Sequence, residues 1–286
     1  MTYHLETEPI RLPEKSTPSA WVIFDLDGVL IRWPKYDLPN TQSQAHFFEK
    51  LQVLHDNNVG ISVLTNRPPG AVQALAYQLG VNNGYWVTES GGSVYSIAEH
   101  KSHILPQWTE YAQTHVPEAR SYLEDNIGLT GYSLPPFFDD EAQFEPGMGW
   151  IKTAIVPPKG IPPKEYLDKA ILPIWSQYKN SPLFTYEVGK AIDINPRGLS
   201  KAEGMKSLLD LNNIDPKKTP TIFIADATRD IPAAETLMEL GGFVGAVGNA
   251  SSDFKDVVSK NTHGITAPAS TNYHCSVVNI LNYFLR

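Results

Sequence analysis

The sequence predicts a doubly wound α/β fold, a parallel sheet with helices on both faces, interrupted by an inserted smaller α+β module. Short apolar runs rich in β-formers alternate with helical spacings from Trp21 to Ile97. The same rhythm returns from Ala191 onward. Between them, from about Ala98 to Glu187, the alternation breaks in a stretch holding Pro135-Pro136, Pro157-Pro158 and Pro162-Pro163. A length of 286 residues suits one core with one sizeable insertion. The expected division is an N-terminal arm over 1–20, a core over 21–97 and 188–286, and an inserted module over 98–187.

The arm is polar and carries Pro9, Pro13 and Pro18. Trp21 to Phe24 reads as a buried strand ending at a carboxylate. Ala45, Phe47, Phe48, Leu51, Val53 and Leu54 recur at helical spacing within Gln42 to Asn58. Val59 to Leu64 is a second buried strand, and Ala71 to Leu79 a helix stopped by Gly80. Tyr85 to Thr88 is a third short strand that completes the βαβαβ rhythm, and Gly91-Gly92 gives a turn before Ser93 to Ile97. The inserted module reads as helices at Trp108 to Glu124 and Lys164 to Tyr178, with strands at Trp150 to Val156 and Leu183 to Val188. In the second half, strands are expected at Ala191 to Asn195, Thr221 to Ala225 and Phe243 to Val247. Helices are expected at Ser200 to Leu211, Ile231 to Leu240, Ser252 to Val258 and Ser276 to Leu285, with Ser200 as an N-cap.

Thirty-one acidic against 23 basic residues give a net charge of −8, with no basic tract, so nucleic-acid binding is not expected. One cysteine, Cys275, excludes an internal disulfide framework and a multi-cysteine metal site; without an activating base it is expected to be buried and inert. No apolar run approaches the roughly 18 residues of a membrane span, and the N-terminus lacks an apolar signal core. A cytoplasmic protein is expected.

Ligands bind outside the carboxyl ends of strands in an open parallel sheet. Four polar clusters lie at such ends or on a helix aimed at them. Asp25-Leu26-Asp27-Gly28 offers two close carboxylates that can divide the work of nucleophile or metal ligand and proton donor. Thr65-Asn66-Arg67 offers a hydroxyl, an amide and backbone N–H groups suited to an oxyanion. Lys201 sits in the first turn of a helix, where the dipole disfavours a cation unless an anion lies near. Asp226 and Asp230, with Asp25, offer hard oxygen ligands that suit Mg²⁺. Each cluster alone has a plain structural alternative: a surface loop, a helix cap, a solvated lysine, helix-start carboxylates. Their order along the chain makes chance unattractive.

The chain resembles the haloacid-dehalogenase-like superfamily. The resemblance rests on Phe24-Asp25-Leu26-Asp27-Gly28-Val29, Leu64-Thr65-Asn66-Arg67-Pro68, Lys201 in Gly198-Leu199-Ser200-Lys201-Ala202, and Ala225-Asp226 through Asp230. The insertion resembles a C2-type cap. Glu89-Ser90-Gly91-Gly92-Ser93-Val94-Tyr95 and Val247-Gly248-Asn249-Ala250 are similar to the subgroup of sucrose-phosphatase-like and Cof-like proteins and phosphomannomutase.

The resemblance implies a phosphatase acting on a small phosphorylated metabolite, a sugar or polyol phosphate, through a phosphoaspartyl intermediate. Asp25 would be the nucleophile and Asp27 the acid and base. Thr65, Asn66 and Lys201 would hold the phosphoryl group. Mg²⁺ would be held by Asp25, Asp27 through its main-chain carbonyl, Asp226 and Asp230. Lys152 resembles a cap lysine that reaches substrate, with a solvated lysine as the alternative; Glu187 and Lys190 are weaker candidates. Trp108, Trp150 and Trp175 could stack on a sugar or simply pack. A phosphomutase and a non-catalytic ligand-binding protein are the other expectations. Ala225 and Arg229 depart from the family pattern, which usually has Gly and Asn there. Arg229 would then adjust the metal's surroundings, add a phosphate contact, or form a solvent-exposed or structural ion pair.

Overall fold

A computed structural model describes residues 17–31, 41–81, 84–127, 143–144, 151, 153–158, 160–177, 183–188 and 191–286. The strands are β1 (Ala20–Phe24), β2 (Val59–Val63), β3 (Tyr85–Thr88), β4 (Ser93–Ser96), β5 (Lys101–Ile104), β6 (Gln143–Phe144), β7 (Thr153–Val156), β8 (Leu183–Val188), β9 (Ala191–Pro196), β10 (Thr221–Ala225), β11 (Phe243–Ala246) and β12 (Gly264–Thr266). The α-helices are α1 (Thr41–Asp56), α2 (Gly70–Gln78), α3 (Val116–Ile127), α4 (Pro163–Tyr166), α5 (Leu172–Trp175), α6 (Lys201–Leu211), α7 (Ile231–Glu239), α8 (Ser252–Ser259) and α9 (Tyr273–Phe284).

The central sheet is parallel, in the order β12-β11-β10-β1-β2. β1 is apolar throughout and β10 apolar after Thr221, and both are buried at every position, because helices cover both faces. Their register sets Trp21 opposite both Thr221 and Gly60, so the carboxyl ends of β1, β2 and β10 finish at one edge. Phe24, Phe223, Leu64 and Met205 belong to the same continuous core. At the far side His274 of α9 stacks on Phe47 with 4.4 Å between ring centroids, and its Nε2 lies 3.0 Å from the Leu30 carbonyl. Burial lowers its pKa to about 4, which makes it a neutral packing residue below the turn that follows Asp25.

Two strands are placed differently from the sequence expectation. β3 joins the parallel sheet through an isolated bridge between Leu64 and Val87 and a hydrogen bond from Ser62 Oγ to the Tyr85 carbonyl, and pairs antiparallel with β4, which pairs with β5. A tight turn over Glu89–Gly91 reverses the chain immediately after β3, leaving no room for a crossover helix. β9, expected to resume the parallel sheet, instead lies between β7 and β8 in a four-stranded antiparallel sheet of order β6-β7-β9-β8. Its Ile192 and Ile194 join Ala119, Leu123, Ile155, Leu167, Ile171 and Trp175 in a second core. The chain re-enters the parallel layer at α6. The polar, partly exposed β5 and the very short β6 and β12 carry too little apolar pattern to be read from sequence.

The two long helices expected in the insertion are broken. A wide π-helical turn, Tyr111–His115, precedes α3, and another, Leu167–Ile171, separates α4 from α5. Pro117 and Pro173 explain both, since neither can donate to the carbonyl four residues earlier. Cys275 is exposed rather than buried, because Ser276, Val277, Ile280 and Leu281 form the inward face of α9. Lys152, Trp150, Lys190 and residues 1–16 of the arm lie outside the described residues, as does the side chain of Glu187. No helix among the described residues is long and apolar enough to cross a membrane.

Candidate active site

Asp25 follows β1 directly, and its N–H donates to the Ile224 carbonyl (2.9 Å), which ties it to β10. The chain then closes a tight turn in which the N–H groups of Leu30 and Ile31 both donate to the Leu26 carbonyl. Gly28 makes this possible. Its φ is +81°, and an added Cβ would lie 1.9 Å from Asp226 Oδ2. Asn249 secures the same turn from the next strand end: its Nδ2 donates to the Gly28 carbonyl (2.7 Å), while its Oδ1 accepts from Tyr273 N–H (3.0 Å).

Lys201 opens α6, whose N-cap Ser200 accepts from Glu203 N–H as expected. A second close approach brings this helix in. Gly204 packs on Gly91, where a Cβ on Gly91 would sit 2.7 Å from the Gly204 Cα. The Lys201 side chain is 2 % exposed, with Nζ 2.9 Å from Asp25 Oδ1 and in a short contact with Asp230 Oδ1. These anions offset the unfavourable helix-start position. The other Asp230 oxygen accepts from Ala227 N–H (3.0 Å).

One oxygen each from Asp25, Asp226 and Asp230 lies within 4.8 Å of the others. Asp25 Oδ2 and Asp226 Oδ1 are buried with no hydrogen-bond partner. Burial first, then the Asp230 charge, pushes the Asp25 carboxyl up to about 6, against the pull of Lys201 and Arg229. Burial, then Asp25 and Asp230, pushes Asp226 up to about 8. Burial acts against the Lys201 ammonium, but Asp230 and Asp25 outweigh it, so its pKa is raised. Unpartnered hard oxygens that repel one another fit a divalent cation such as Mg²⁺.

No protein-family model matches the chain, and no curated protein matches it in sequence. Solved structures do match. The sucrose-phosphatase from Synechocystis sp. PCC6803, solved with sucrose and phosphate, aligns at a TM-score of 0.60 and 17 % identity, over 93 % of this chain and 98 % of that one. A haloacid dehalogenase-like hydrolase from Bacteroides thetaiotaomicron aligns at 0.63 and 18 %, over 92 % and 98 %. A HAD/COF-like hydrolase from Plasmodium vivax aligns at 0.60 and 16 %, over 95 % and 98 %. The chain has the haloacid dehalogenase-like fold.

In this haloacid dehalogenase-like frame, Asp25, Lys201, Asp226 and Asp230 meet in one cluster. Asp27 lies beside it, but its carboxylate is held by Arg67: Nε donates to Oδ2 (2.9 Å) and Nη2 to Oδ1 (2.6 Å). The Thr65-Asn66-Arg67 motif alone does not indicate this task for Arg67. The signal was its place two residues beyond Thr65 at a strand end. Thr65 is fully buried, and its hydroxyl accepts from Arg67 N–H (3.2 Å). Asn66 is nearly buried, and its Oδ1 accepts from Ser90 Oγ (2.5 Å). Helix α2 starts only at Gly70, so Thr65 to Arg67 form a separate turn rather than a helix cap.

Sequence reading also missed the use of the Glu89-Ser90 turn. Both residues adopt left-handed φ values (50° and 60°), uncommon for non-glycine residues and a known mark of constrained sites. Glu89 is fully buried, accepting from Ser93 Oγ (2.5 Å) and from Ile151 N–H (3.0 Å). Trp108 donates its indole N–H to the Gly91 carbonyl (3.0 Å), and Trp175 belongs to the second core; both are packing residues.

The raised carboxyls set a pH dependence. The folded state holds protons that free aspartates, with a pKa of 3.8, release earlier. In metal-free protein this site's contribution to stability therefore falls as pH rises from about 4 to about 8. Thermal melting in EDTA should show Tm dropping by on the order of 5 °C across that window, less in Asp226→Asn. Added Mg²⁺ should restore Tm chiefly at the alkaline end. A flat wild-type profile contradicts this.

Proposed function

We propose that the chain is a Mg²⁺-dependent phosphatase of a small phosphorylated metabolite, a sugar or polyol phosphate, acting in the cytoplasm. The observation that carries this reading is the state of Asp25. One oxygen is fixed by Lys201, the other is buried and unpartnered, and Asp226 and Asp230 stand beside it. A nucleophile so positioned needs a phosphorus centre in line and its charge neutralised. The carboxylates of Asp25, Asp226 and Asp230 and the main-chain carbonyl of Asp27 would hold Mg²⁺. When bound, the ion supplies charge neutralisation at the phosphoryl oxygens.

Asp25 Oδ2 attacks phosphorus, the ester P–O bond breaks, and the phosphoryl group passes to the carboxylate. The leaving oxygen takes a proton from Asp27. Water, losing its proton to Asp27, then displaces Asp25 from phosphorus and releases inorganic phosphate. Asp27 must first leave the two-pronged grip of Arg67 and take a proton from solvent before it can serve as the acid. Thr65, the Asn66 backbone N–H and Lys201 receive the phosphoryl oxygens. The inserted module, read as a cap over 98–187, closes on the site, excludes water and selects the leaving group. The sucrose-phosphatase likeness supports a polyhydroxylated substrate.

The test is hydrolysis of p-nitrophenyl phosphate and a panel of phosphorylated metabolites with Mg²⁺. Asp25→Asn should lower kcat by more than about 10³-fold with little change in melting temperature. Equal inactivity of wild type and variant across the panel overturns the reading. Sugar-phosphate isomerisation without phosphate release would select a phosphomutase instead.

A further inference from the structure

Arg229 stands on the single helical turn Thr228–Asp230, between two residues of the carboxylate cluster. Its guanidinium carries five donors in a fixed fork. Its Nε is buried with no hydrogen-bond partner. Among the described residues no hydrogen bond or ion pair reaches the side chain, although the charges of Asp25, Asp230, Asp27 and Asp226 all act on it, Asp25 most strongly.

The neighbouring acceptors are largely committed. Arg67 takes both oxygens of Asp27. Lys201 and Ala227 N–H take those of Asp230, and Lys201 takes Asp25 Oδ1. The two buried uncommitted oxygens, Asp25 Oδ2 and Asp226 Oδ1, are not engaged by Arg229 either. A structural ion pair therefore does not account for this residue. A guanidinium whose Nε is buried without an acceptor is costly, and its planar fork matches two oxygens of a tetrahedral oxyanion.

We propose that Arg229 is a phosphate ligand: its guanidinium donates to non-bridging oxygens of the phosphoryl group presented to Asp25. The inference rests on the phosphatase reading of the same site. It makes Arg229 a catalytic residue, supplying hydrogen bonds to oxygens that gain negative charge in the transition state. It also has an electrostatic corollary. A fixed positive charge among the carboxylates attracts the oxyanion but repels a divalent cation. Removing it should weaken phosphate binding without weakening Mg²⁺ binding.

The experiment is calorimetric titration of the full chain. Mg²⁺ alone is titrated first, then inorganic phosphate in the presence of Mg²⁺, for wild type, Arg229→Asn and Arg229→Lys. Hydrolysis of p-nitrophenyl phosphate is followed in parallel. Phosphate should bind Arg229→Asn at least about tenfold more weakly than wild type, with Arg229→Lys about threefold weaker, since lysine keeps the charge and loses the fork. Mg²⁺ alone should bind Arg229→Asn as tightly as wild type, or more tightly. Phosphate affinity within twofold of wild type in either folded variant overturns the proposal. So does a parallel loss of Mg²⁺ and phosphate binding, which marks a packing role. If Arg229→Asn does not fold, Arg229→Lys alone decides. Wild type that neither binds phosphate nor hydrolyses the ester brings down the phosphatase reading itself. Active wild type with unimpaired Arg229 variants brings down only the role of Arg229.

Discussion

Replacing Lys201 with methionine should cost about 3–5 kcal/mol of stability at pH 8, the range expected when one partner of a buried ion pair is removed. The substitution leaves the α6 backbone and its Ser200 cap in place. It removes the ammonium from Asp25 and Asp230, whose side chains are 1 % and 0 % exposed. Two carboxylates would then face each other without a counter-charge. The loss should shrink at pH 5, where Asp25, already pushed up to about 6 beside the lysine, takes up a proton. Chemical denaturation at the two pH values checks this. An unfolding free energy at pH 8 within about 1 kcal/mol of wild type would show that Lys201 does not compensate the pair. The double variant Lys201→Met/Asp230→Asn should recover part of the loss, since one of the stranded charges is gone.

Gly28→Ala should abolish metal binding and lower turnover by at least about 10²-fold, although it adds one methyl group. At φ +81° an alanine is strained, and its Cβ would fall 1.9 Å from Asp226 Oδ2. Either the turn opens, moving Asp27, or Asp226 swings out of the cluster. The second outcome separates oxygens that now lie within 4.8 Å, and the first displaces the Asp27 carbonyl that would join them. Mg²⁺ titration by calorimetry reads the first effect and ester hydrolysis the second. Undiminished Mg²⁺ binding would place the cation away from Asp226. Asp226→Asn should resemble Gly28→Ala in metal affinity and differ from it in stability, because only the glycine variant strains the backbone.

β1, β2, β10 and β11 of the parallel layer were legible because they are short, largely apolar and largely buried runs, a pattern that composition and length identify together; β12, three residues long, was not. Asp25, Lys201, Asp226 and Asp230 were legible because each follows or faces a strand end. What escaped depends on contacts distant in sequence. The Gly91–Gly204 approach, which sets the depth of Lys201, joins a reverse turn to a helix. The Asp27–Arg67 pair joins two motifs that were read separately. β9 was misassigned because Ile192 and Ile194 alternate with Asp193 and Asn195 as in many half-buried strands, and alternation does not say which sheet a strand joins. The breaks before α3 and α5 were visible in Pro117 and Pro173, but the helical periodicity around them outweighed those two residues.

The central position of β1 has a consequence during synthesis. Trp21 pairs on one side with Gly60 and on the other with Thr221. A ribosome delivers the first partner early and the second only after the whole insertion has emerged. Through that interval the segment AWVIF, apolar throughout, presents one open row of amides and carbonyls to the cell. A chaperone or an early-packed helix must shield this row until β10 arrives, and aggregation during expression should track how long translation takes to reach it.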